Sequence, residues 1–176
     1  MSLQPEHSVF VALGSNLGNR LETLKKALRR IGEISQTRLG RLSPIYETHP
    51  EGESHNMYLN MVAELRSRLS PHRLLAALLR IETALGRRRS GKKNEDRTID
   101  LDILIYDARI SASKTLTLPH PRMHRREFVL KPLADIAPDL IHPLLQKSMP
   151  TLLAHLGPSS VRRVYQFTHR ELKQDA

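Results

Sequence analysis

Two aspartates separated by a single residue, Asp100 and Asp102, carry the sharpest chemical signal in the sequence. They lie in an apolar stretch at residues 98–106 that predicts a β-strand, and residues two apart on a strand point to the same face. Two neighbouring carboxylates repel each other unless a cation lies between them, and such oxygen ligands suit Mg²⁺ shared with substrate phosphates. A solvated strand face with two incidental aspartates is the alternative, because so short a motif also arises by chance. The apolar residues of the stretch are expected to face the core: Leu101, Ile103 and Ile105.

The loop of residues 87–97 precedes this carboxylate pair and contains six basic residues against two acidic ones. Arginines bind phosphate oxygens through paired N–H donors, and phosphoryl transfer depends mainly on positioning and charge neutralisation. A basic loop by itself is more often a solvated surface. Directly beside two carboxylates, it indicates a site for phosphates and metal.

Glu82 lies near the middle of the apolar face of a helix predicted over residues 71–85. A carboxylate among apolar residues is uncommon unless it is paired or functional. Two interpretations therefore stay open: a functional residue, or half of a structural ion pair with an arginine of the adjacent loop.

A second basic cluster and two aromatic residues extend the set of candidate site residues. The cluster includes His120 and Arg126, and a solvated surface is its alternative. Tyr58 and Phe128 are two of the seven aromatic residues, three Phe and four Tyr, and each flanks a polar segment. Without further information, core packing is the simpler interpretation of both rings.

Hydrophobic spacing predicts the elements that must position these groups. Strands are predicted at residues 9–13, 58–65 and 98–106, with residues 36–46 also compatible with a strand, and helices at residues 17–31 and 71–85. The order βαββαβ predicts an α+β, ferredoxin-like sandwich, in which helices pack on one face of an antiparallel sheet. Prolines divide the C-terminal third into short extra helices and turns.

Composition limits the classes of function. The chain has 176 residues, 39% of them hydrophobic, no Cys and a formal net charge of +10. The lack of Cys excludes disulfides, thiolate nucleophiles and Cys-based zinc sites. No apolar run is long enough for a membrane span, and we expect a cytoplasmic protein with no membrane partner. The excess positive charge indicates an anionic partner, either nucleic acid, a membrane surface or a polyphosphate. We predict one domain over residues 1–156 and a basic tail over residues 157–176 of unknown role.

Taken together, these segments resemble the family of 6-hydroxymethyl-7,8-dihydropterin pyrophosphokinases of folate biosynthesis. The matching stretches occur in the family's order at residues 9–18, 46–48, 58–60, 80–82, 86–87, 97–104 and 118–138. They cover nearly the whole chain up to about Ala154. The string Arg97-Thr98-Ile99-Asp100-Leu101-Asp102-Ile103-Leu104 is highly specific.

The resemblance implies a ferredoxin-like fold and transfer of the β,γ-diphosphate of ATP to the pterin hydroxymethyl group, with release of AMP. It implies that Asp100 and Asp102 hold two Mg²⁺ ions and are catalytic together with Arg87 and Arg97. The other implied nucleotide residues are His120 and Arg126 on phosphates, Arg89 assisting, Glu82 in support and Ile103 at the adenine pocket. The implied pterin residues are Tyr58 and Phe128 on the ring faces, Asn60 and the backbone near Thr48 on the ring edge, and Asn16 at the pocket floor. Only small-molecule substrates are implied, with no nucleic acid and no protein partner required.

Several residues depart from the family pattern. His49 and Glu51 flank Pro50 where the family usually has two prolines and an apolar residue. The loop on the pterin side can therefore close over the substrate in a different way. Glu95 and Asp96 place extra negative charge beside the phosphate site, which would weaken ATP binding or add a metal contact. Thr115 stands where the family has an arginine. We nevertheless expect activity, and we expect segments 47–57 and 86–97 to close over the substrates.

Two other functions are compatible with the composition. A basic ferredoxin-like nucleic-acid binder would need exposed aromatics on its two central strands, in a pattern that this chain lacks. A metal-dependent phosphohydrolase would use the same carboxylates and arginines, with water in place of the pterin as acceptor.

Overall fold

The computed structural model of the chain describes residues 5–50, 55–88 and 96–173. Its strands are β1 (His7–Ser15), β2 (Thr37–Leu42), β3 (Ile45–Thr48), β4 (Tyr58–Ser67), β5 (Asp100–Tyr106), β6 (Ser111–Ala112), β7 (Thr117–Leu118) and β8 (Arg162–Tyr165). Its helices are α1 (Arg20–Gly32), α2 (Pro71–Ala84), α3 (Glu127–Ile136) and α4 (Met149–Ala154), with a short 3-10 helix at Met123–Arg125. Among the described residues, no helix is both long enough and apolar enough to cross a bilayer.

The main sheet is antiparallel, with β1 and β4 as inner strands. β1 pairs with β5 on one side and with β4 on the other, and both β2 and β3 pair with the far edge of β4. Ser43 lies between β2 and β3, where its backbone N–H donates to Val62 and its hydroxyl accepts from the Val62 N–H, each at 2.9 Å. This strand order and the two intervening helices confirm the predicted βαββαβ sandwich.

α1 and α2 cover one face of the sheet. The side chain of Asn19 caps α1 by accepting from the Glu22 N–H at 3.2 Å, which satisfies one of the free donors of the first turn. Ser70 occupies the N-cap position of α2 but makes no side-chain cap bond, and Pro71 follows in the first turn, where proline is well tolerated. The residues of α1 that recur every three or four positions are fully buried: Leu24, Ala27, Leu28 and Ile31.

α3 and α4 cover the opposite face, which the sequence analysis did not predict. Val129, Leu130 and Leu133 of α3 pack in a second core with Phe10 and Val62 of the sheet. The two helices are short and are separated by prolines, so neither has the long amphipathic period that reveals α1 and α2. Phe128 and Val129, at the start of α3, lie at one end of the sheet, where a cleft opens.

A β-bulge in β5 changes which residues face each core. Phe10 pairs with Ile105, but the next residue of β1, Val11, pairs with Ile103, so the register shifts by one residue. Ile105 consequently packs in the core beneath α3, and the prediction that it faces the same core as Ile103 is wrong.

The segment after residue 156 joins the sheet. β8 pairs with β3, and Phe167 is 5% exposed in the core between the sheet and α1 and α2. The division into a domain of residues 1–156 and a tail stays a prediction, but the described part of that tail is packed against the rest of the chain.

Candidate active site

A cleft opens at one end of the sheet, beside the first turn of α3. The antiparallel order brings the end of β1 beside the beginnings of β4 and β5, so residues far apart in sequence meet there. Most of the predicted site residues line this cleft: Thr48, Tyr58, Asn60, Arg97, Asp100, Asp102, His120, Arg126 and Phe128. His49, one of the departures from the family pattern, lines it as well.

Gly14 lies at the junction of the two halves of the cleft, because it pairs with Asn60 of β4 and with Asp100 of β5. The carboxylate and the amide are therefore separated by one strand, so their backbones lie about 10 Å apart. A Cβ at position 14 would lie 2.9 Å from Oδ1 of Asn60. Glycine is required here by the close approach of this amide, a constraint that the sequence did not reveal.

Asp100 is held by two arginines. Its Oδ1 accepts from Nη1 of Arg87 at 2.5 Å, and its Oδ2 accepts from Nη1 of Arg97 at 2.8 Å. Arg87 also donates to Glu82, which is 2% exposed and accepts from the Leu101 N–H at 2.8 Å. The ion pair considered for Glu82 is thus present, and it holds Arg87 directly behind the carboxylate pair.

Asp102 faces the cleft with 44% of its side chain exposed. The cleft walls nevertheless keep much of the surrounding water away, and this burial together with the charges of Asp100 and Glu82 raises the pKa of Asp102 to about 6. Nε2 of His120 lies 3.9 Å from Oδ2 of Asp102, and the charges of Arg126 and Arg87 act against this rise in the pKa of Asp102. Asp102 is therefore an accessible carboxylate whose charge is only partly balanced.

Asp100 and Asp102 are the candidate metal ligands of the cleft. The described residues contain no group of three or more His, Cys, Asp or Glu placed to bind a metal, so a closed protein site is absent from that part of the chain. Two carboxylates on one strand face do fit Mg²⁺, which usually takes its remaining ligands from water and substrate phosphates. Repulsion between Asp100 and Asp102, expressed in the raised pKa of Asp102, would be relieved by such a cation.

His120 and Arg126 also line the cleft, with His120 beside Asp102. Burial and the nearby charges of Arg126 and Arg122 lower the pKa of His120 to about 4, so the imidazole is neutral at pH 7. Its Nδ1 accepts from the Arg122 N–H at 3.2 Å, which leaves the ring proton on Nε2, facing the cleft. Both side chains therefore present donors to an anion.

The other half of the cleft contains two rings and an amide. Tyr58 and Phe128 line it together with Asn60, whose Nδ2 donates to Oγ1 of Thr48 at 2.8 Å. The guanidinium of Arg126 lies 5.3 Å from the centroid of the Phe128 ring. The hydroxyl of Tyr58 is hydrogen-bonded to the Arg97 side chain, so the aromatic half of the cleft contacts the half that contains the arginines.

Some predicted residues lie outside the cleft lining. Ile103 is buried in the core beneath α1 and α2, on the face opposite to the carboxylates, so its side chain does not reach the cleft. Glu82 and Arg87 lie behind Asp100. Arg89, Glu51 and Glu95 fall outside the described residues, as do parts of the two segments expected to close.

Asn16 holds the segment before β5. Its Oδ1 accepts from the Arg97 N–H at 2.7 Å, and its Nδ2 donates to Asp96 at 2.5 Å. Asp96 also accepts from Nδ2 of Asn56 at 2.6 Å. The carboxylate of Asp96 is thus bound by two amides and links the start of β4 to Arg97, a role that no local pattern in the sequence could indicate.

The chain is similar to one family of proteins along most of its length. The family model described as 7,8-dihydro-6-hydroxymethylpterin-pyrophosphokinase (HPPK) matches residues 10–138. The 2-amino-4-hydroxy-6-hydroxymethyldihydropteridine pyrophosphokinase of Haemophilus influenzae is 44% identical over 137 residues, covering 77% of this chain and 85% of the relative. The enzyme of the same name from Porphyromonas gingivalis is 46% identical over 142 residues, covering 77% of this chain and 93% of the relative.

Longer proteins contain the same unit. The folic acid synthesis protein fol1 of Schizosaccharomyces pombe is 35% identical over 164 residues, which are 93% of this chain but 22% of that protein. A crystal structure of an HPPK-DHPS in complex with substrates superimposes with a TM-score of 0.68 at 16% identity, covering 86% of this chain and 43% of that one. At this identity the superposition establishes the shared fold.

Proposed function

The chain belongs to the 7,8-dihydro-6-hydroxymethylpterin-pyrophosphokinase family, and from this we propose that its cleft binds ATP and 6-hydroxymethyl-7,8-dihydropterin side by side. The protein is an ATP-dependent diphosphotransferase of folate biosynthesis, which transfers the β,γ-diphosphate of ATP to the pterin hydroxymethyl group and releases AMP. The observation that supports these site roles is a single cleft with carboxylates and arginines in one half and two rings with an amide in the other.

The arginine half is assigned to the triphosphate. Arg97 and Arg126 can each present paired donors to phosphate oxygens, and the neutral His120 can add its Nε2 proton. Arg87 is assigned to the phosphates on the resemblance, and its position behind Asp100, fixed by Glu82, adds positive charge to this half of the cleft. Arg89 is assigned an assisting role on the resemblance alone.

Asp100 and Asp102 are assigned as ligands of two Mg²⁺ ions. When bound, these ions would neutralise phosphate charge that develops during transfer. The protein supplies the two carboxylates on one strand face, and Arg87 and Arg97 balance the charge of Asp100.

The aromatic half is assigned to the pterin. Tyr58 and Phe128 offer flat apolar faces to a flat ring, and Asn60 with Thr48 offers donors and acceptors to its polar edge. In this position the hydroxymethyl oxygen faces the phosphates. A bond forms between this oxygen and the β-phosphorus, the bond from the α,β-bridging oxygen to the β-phosphorus breaks, AMP leaves with that oxygen, and the hydroxyl proton passes to solvent.

The proposal also includes the finer features of the enzyme. Residues 1–156 would form the catalytic domain, acting in the cytoplasm on small molecules without a nucleic-acid, membrane or protein partner. The nucleic-acid alternative is not favoured by the fold, because Phe10 of the central strand β1 is buried beneath α3 rather than exposed for base stacking.

The test is AMP release from ATP and Mg²⁺ with and without 6-hydroxymethyl-7,8-dihydropterin. We expect AMP formation to require the pterin. Equal AMP release in its absence would replace the transferase with a phosphohydrolase. Salt-sensitive RNA binding without ATP turnover would instead favour the nucleic-acid binder.

A further inference from the structure

Residues 157–173, here called the strap, are not explained by the proposed chemistry. They lie beyond residues 10–138, which the family model matches. The strap passes α3, pairs with β3 through β8, and continues to α1, so it contacts three elements of the domain.

The first contact fixes the aromatic wall that contains Phe128. Glu127 stands between Arg126 and Phe128 at the start of α3, and its Oε2 accepts from the Ser160 N–H at 2.9 Å and from the Ser160 hydroxyl at 2.6 Å. Burial raises the pKa of Glu127, but hydrogen bonds from Ser159, Ser160 and the Val161 N–H outweigh it and hold this pKa below its ordinary value. The carboxylate of Glu127, whose neighbours in sequence are both cleft residues, therefore binds the strap.

The second contact reaches the opposite aromatic wall. Nη2 of Arg162 donates to Oε2 of Glu47 at 2.6 Å, and Glu47 precedes the cleft residue Thr48. Oε1 of Glu47 accepts from Arg20 at 3.2 Å, and Arg20 also donates to the Met57 carbonyl at 2.7 Å. Met57 directly precedes Tyr58, so the strap is connected through two charged side chains to the backbone that carries the second ring.

The far end of the strap is anchored independently of the cleft. Phe167 is buried in the core, and Leu172 packs against that core. The guanidinium of Arg29 donates to the Glu171 carbonyl at 3.1 Å and to the Leu172 carbonyl at 3.2 Å. The strap is therefore a fixed brace, against which both aromatic walls are held.

We infer that the strap is a positioning element that sets the relation between Phe128 and Tyr58, with Glu127 and Arg162 as its positioning residues. This inference rests on the proposed pterin site. Two rings that stack on one substrate gain most when both are already in place. Strap contacts would consequently affect affinity for the pterin. The nucleotide contacts of Arg97 and Asp100 lie at the β5 edge of the sheet, opposite to β8, whereas Arg126 directly precedes the strap contact of Glu127.

The experiment compares Glu127→Ala and Arg162→Ala with the unsubstituted protein in steady-state assays of AMP release. We expect each variant to raise the KM for 6-hydroxymethyl-7,8-dihydropterin about fivefold. Arg162→Ala is expected to leave the KM for MgATP within about twofold, whereas Glu127→Ala is expected to raise it as well, because Arg126 directly precedes Glu127. Arg162→Lys, which keeps the charge, is expected to recover part of the loss. Arg163→Ala is the matched control, because Arg163 is the next residue of β8 and its guanidinium contacts Gln166.

The outcomes separate this inference from the proposed function. An unchanged pterin KM in both variants would overturn the positioning role. An equal rise in both KM values, with the same change in Arg163→Ala, would overturn it in favour of a purely stabilising strap. A lack of pterin-dependent turnover in the unsubstituted protein would refute the proposed function, and calorimetric titration of each variant with the pterin would still measure the strap contribution.

Discussion

Substitution of Gly14 by Ala tests whether the amide of Asn60 recognises the pterin. The added Cβ would lie 2.9 Å from Oδ1 of Asn60, a contact that requires the amide to move by several tenths of an ångström. The amide cannot move freely, because its Nδ2 donates to Thr48 at 2.8 Å and both side chains are buried. Displacing or breaking this bond costs about 1–3 kcal/mol, which corresponds to about a tenfold loss or more in affinity for a ligand read by the amide.

The assay measures both KM values and kcat for Gly14→Ala. We expect the pterin KM to rise about tenfold and the ATP KM to change little. Gly32→Ala is the control, since a Cβ there would make only ordinary contact, 3.6 Å from the Leu39 side chain.

A double variant sharpens this result. In an Asn60→Ala background the clash disappears, so Gly14→Ala should add almost no further loss. An unchanged pterin KM in Gly14→Ala, or fully additive losses in the double variant, would refute the role given to the amide.

Four further predictions concern the charged half of the cleft. Because the pKa of Asp102 is raised to about 6, protonation should compete with Mg²⁺ below that pH, and a titration of activity against Mg²⁺ at pH 5 and 7 should show weaker apparent affinity at pH 5. The same raised pKa means that ionisation of Asp102 destabilises the fold above about pH 4. Asp102→Asn should therefore raise the free energy of unfolding at pH 7 by about 1 kcal/mol, a value reduced for the exposure of the side chain, and change it little at pH 4. A lower melting temperature of the variant at pH 7 would contradict this. Glu82→Ala removes one partner of the partly buried Arg87 and should lower the free energy of unfolding, measured by urea denaturation, by about 3 kcal/mol. Glu82→Gln should lower it less, and equal losses in the two variants would show that the charge of Glu82 is unimportant. Asp96→Ala removes the carboxylate that joins the amides of Asn16 and Asn56, and with it the support of Asn16 on Arg97, so it should lower kcat about tenfold with Asp96→Asn less affected. Wild-type kcat in Asp96→Ala would exclude a positioning role.

Local patterns in the sequence were sufficient for the elements that carry the carboxylate pair. The alternation around Asp100 and Asp102 predicts a strand with both carboxylates on one face, and the structure confirms that both line the cleft. The same alternation gave a wrong result for Ile105, because a bulge depends on how β5 pairs with β1 and not on the residues of β5 alone.

Long-range contacts account for what the sequence could not predict. Asp96 meets Asn16 across 80 residues of sequence, and Ser160 meets Glu127 across 33, so neither contact has a periodic signature. Gly14 resembles an ordinary turn glycine until the pairing of β1 with β4 places Asn60 against it.

The most direct test of the account identifies the reaction products. Mass spectrometry of a reaction with ATP, Mg²⁺ and 6-hydroxymethyl-7,8-dihydropterin should show one pterin diphosphate for each AMP formed, and neither product above background for Asp100→Ala or Asp102→Ala with the fold intact by circular dichroism. Formation of AMP and free pyrophosphate with the pterin unchanged would contradict the account, as would full activity in either aspartate variant.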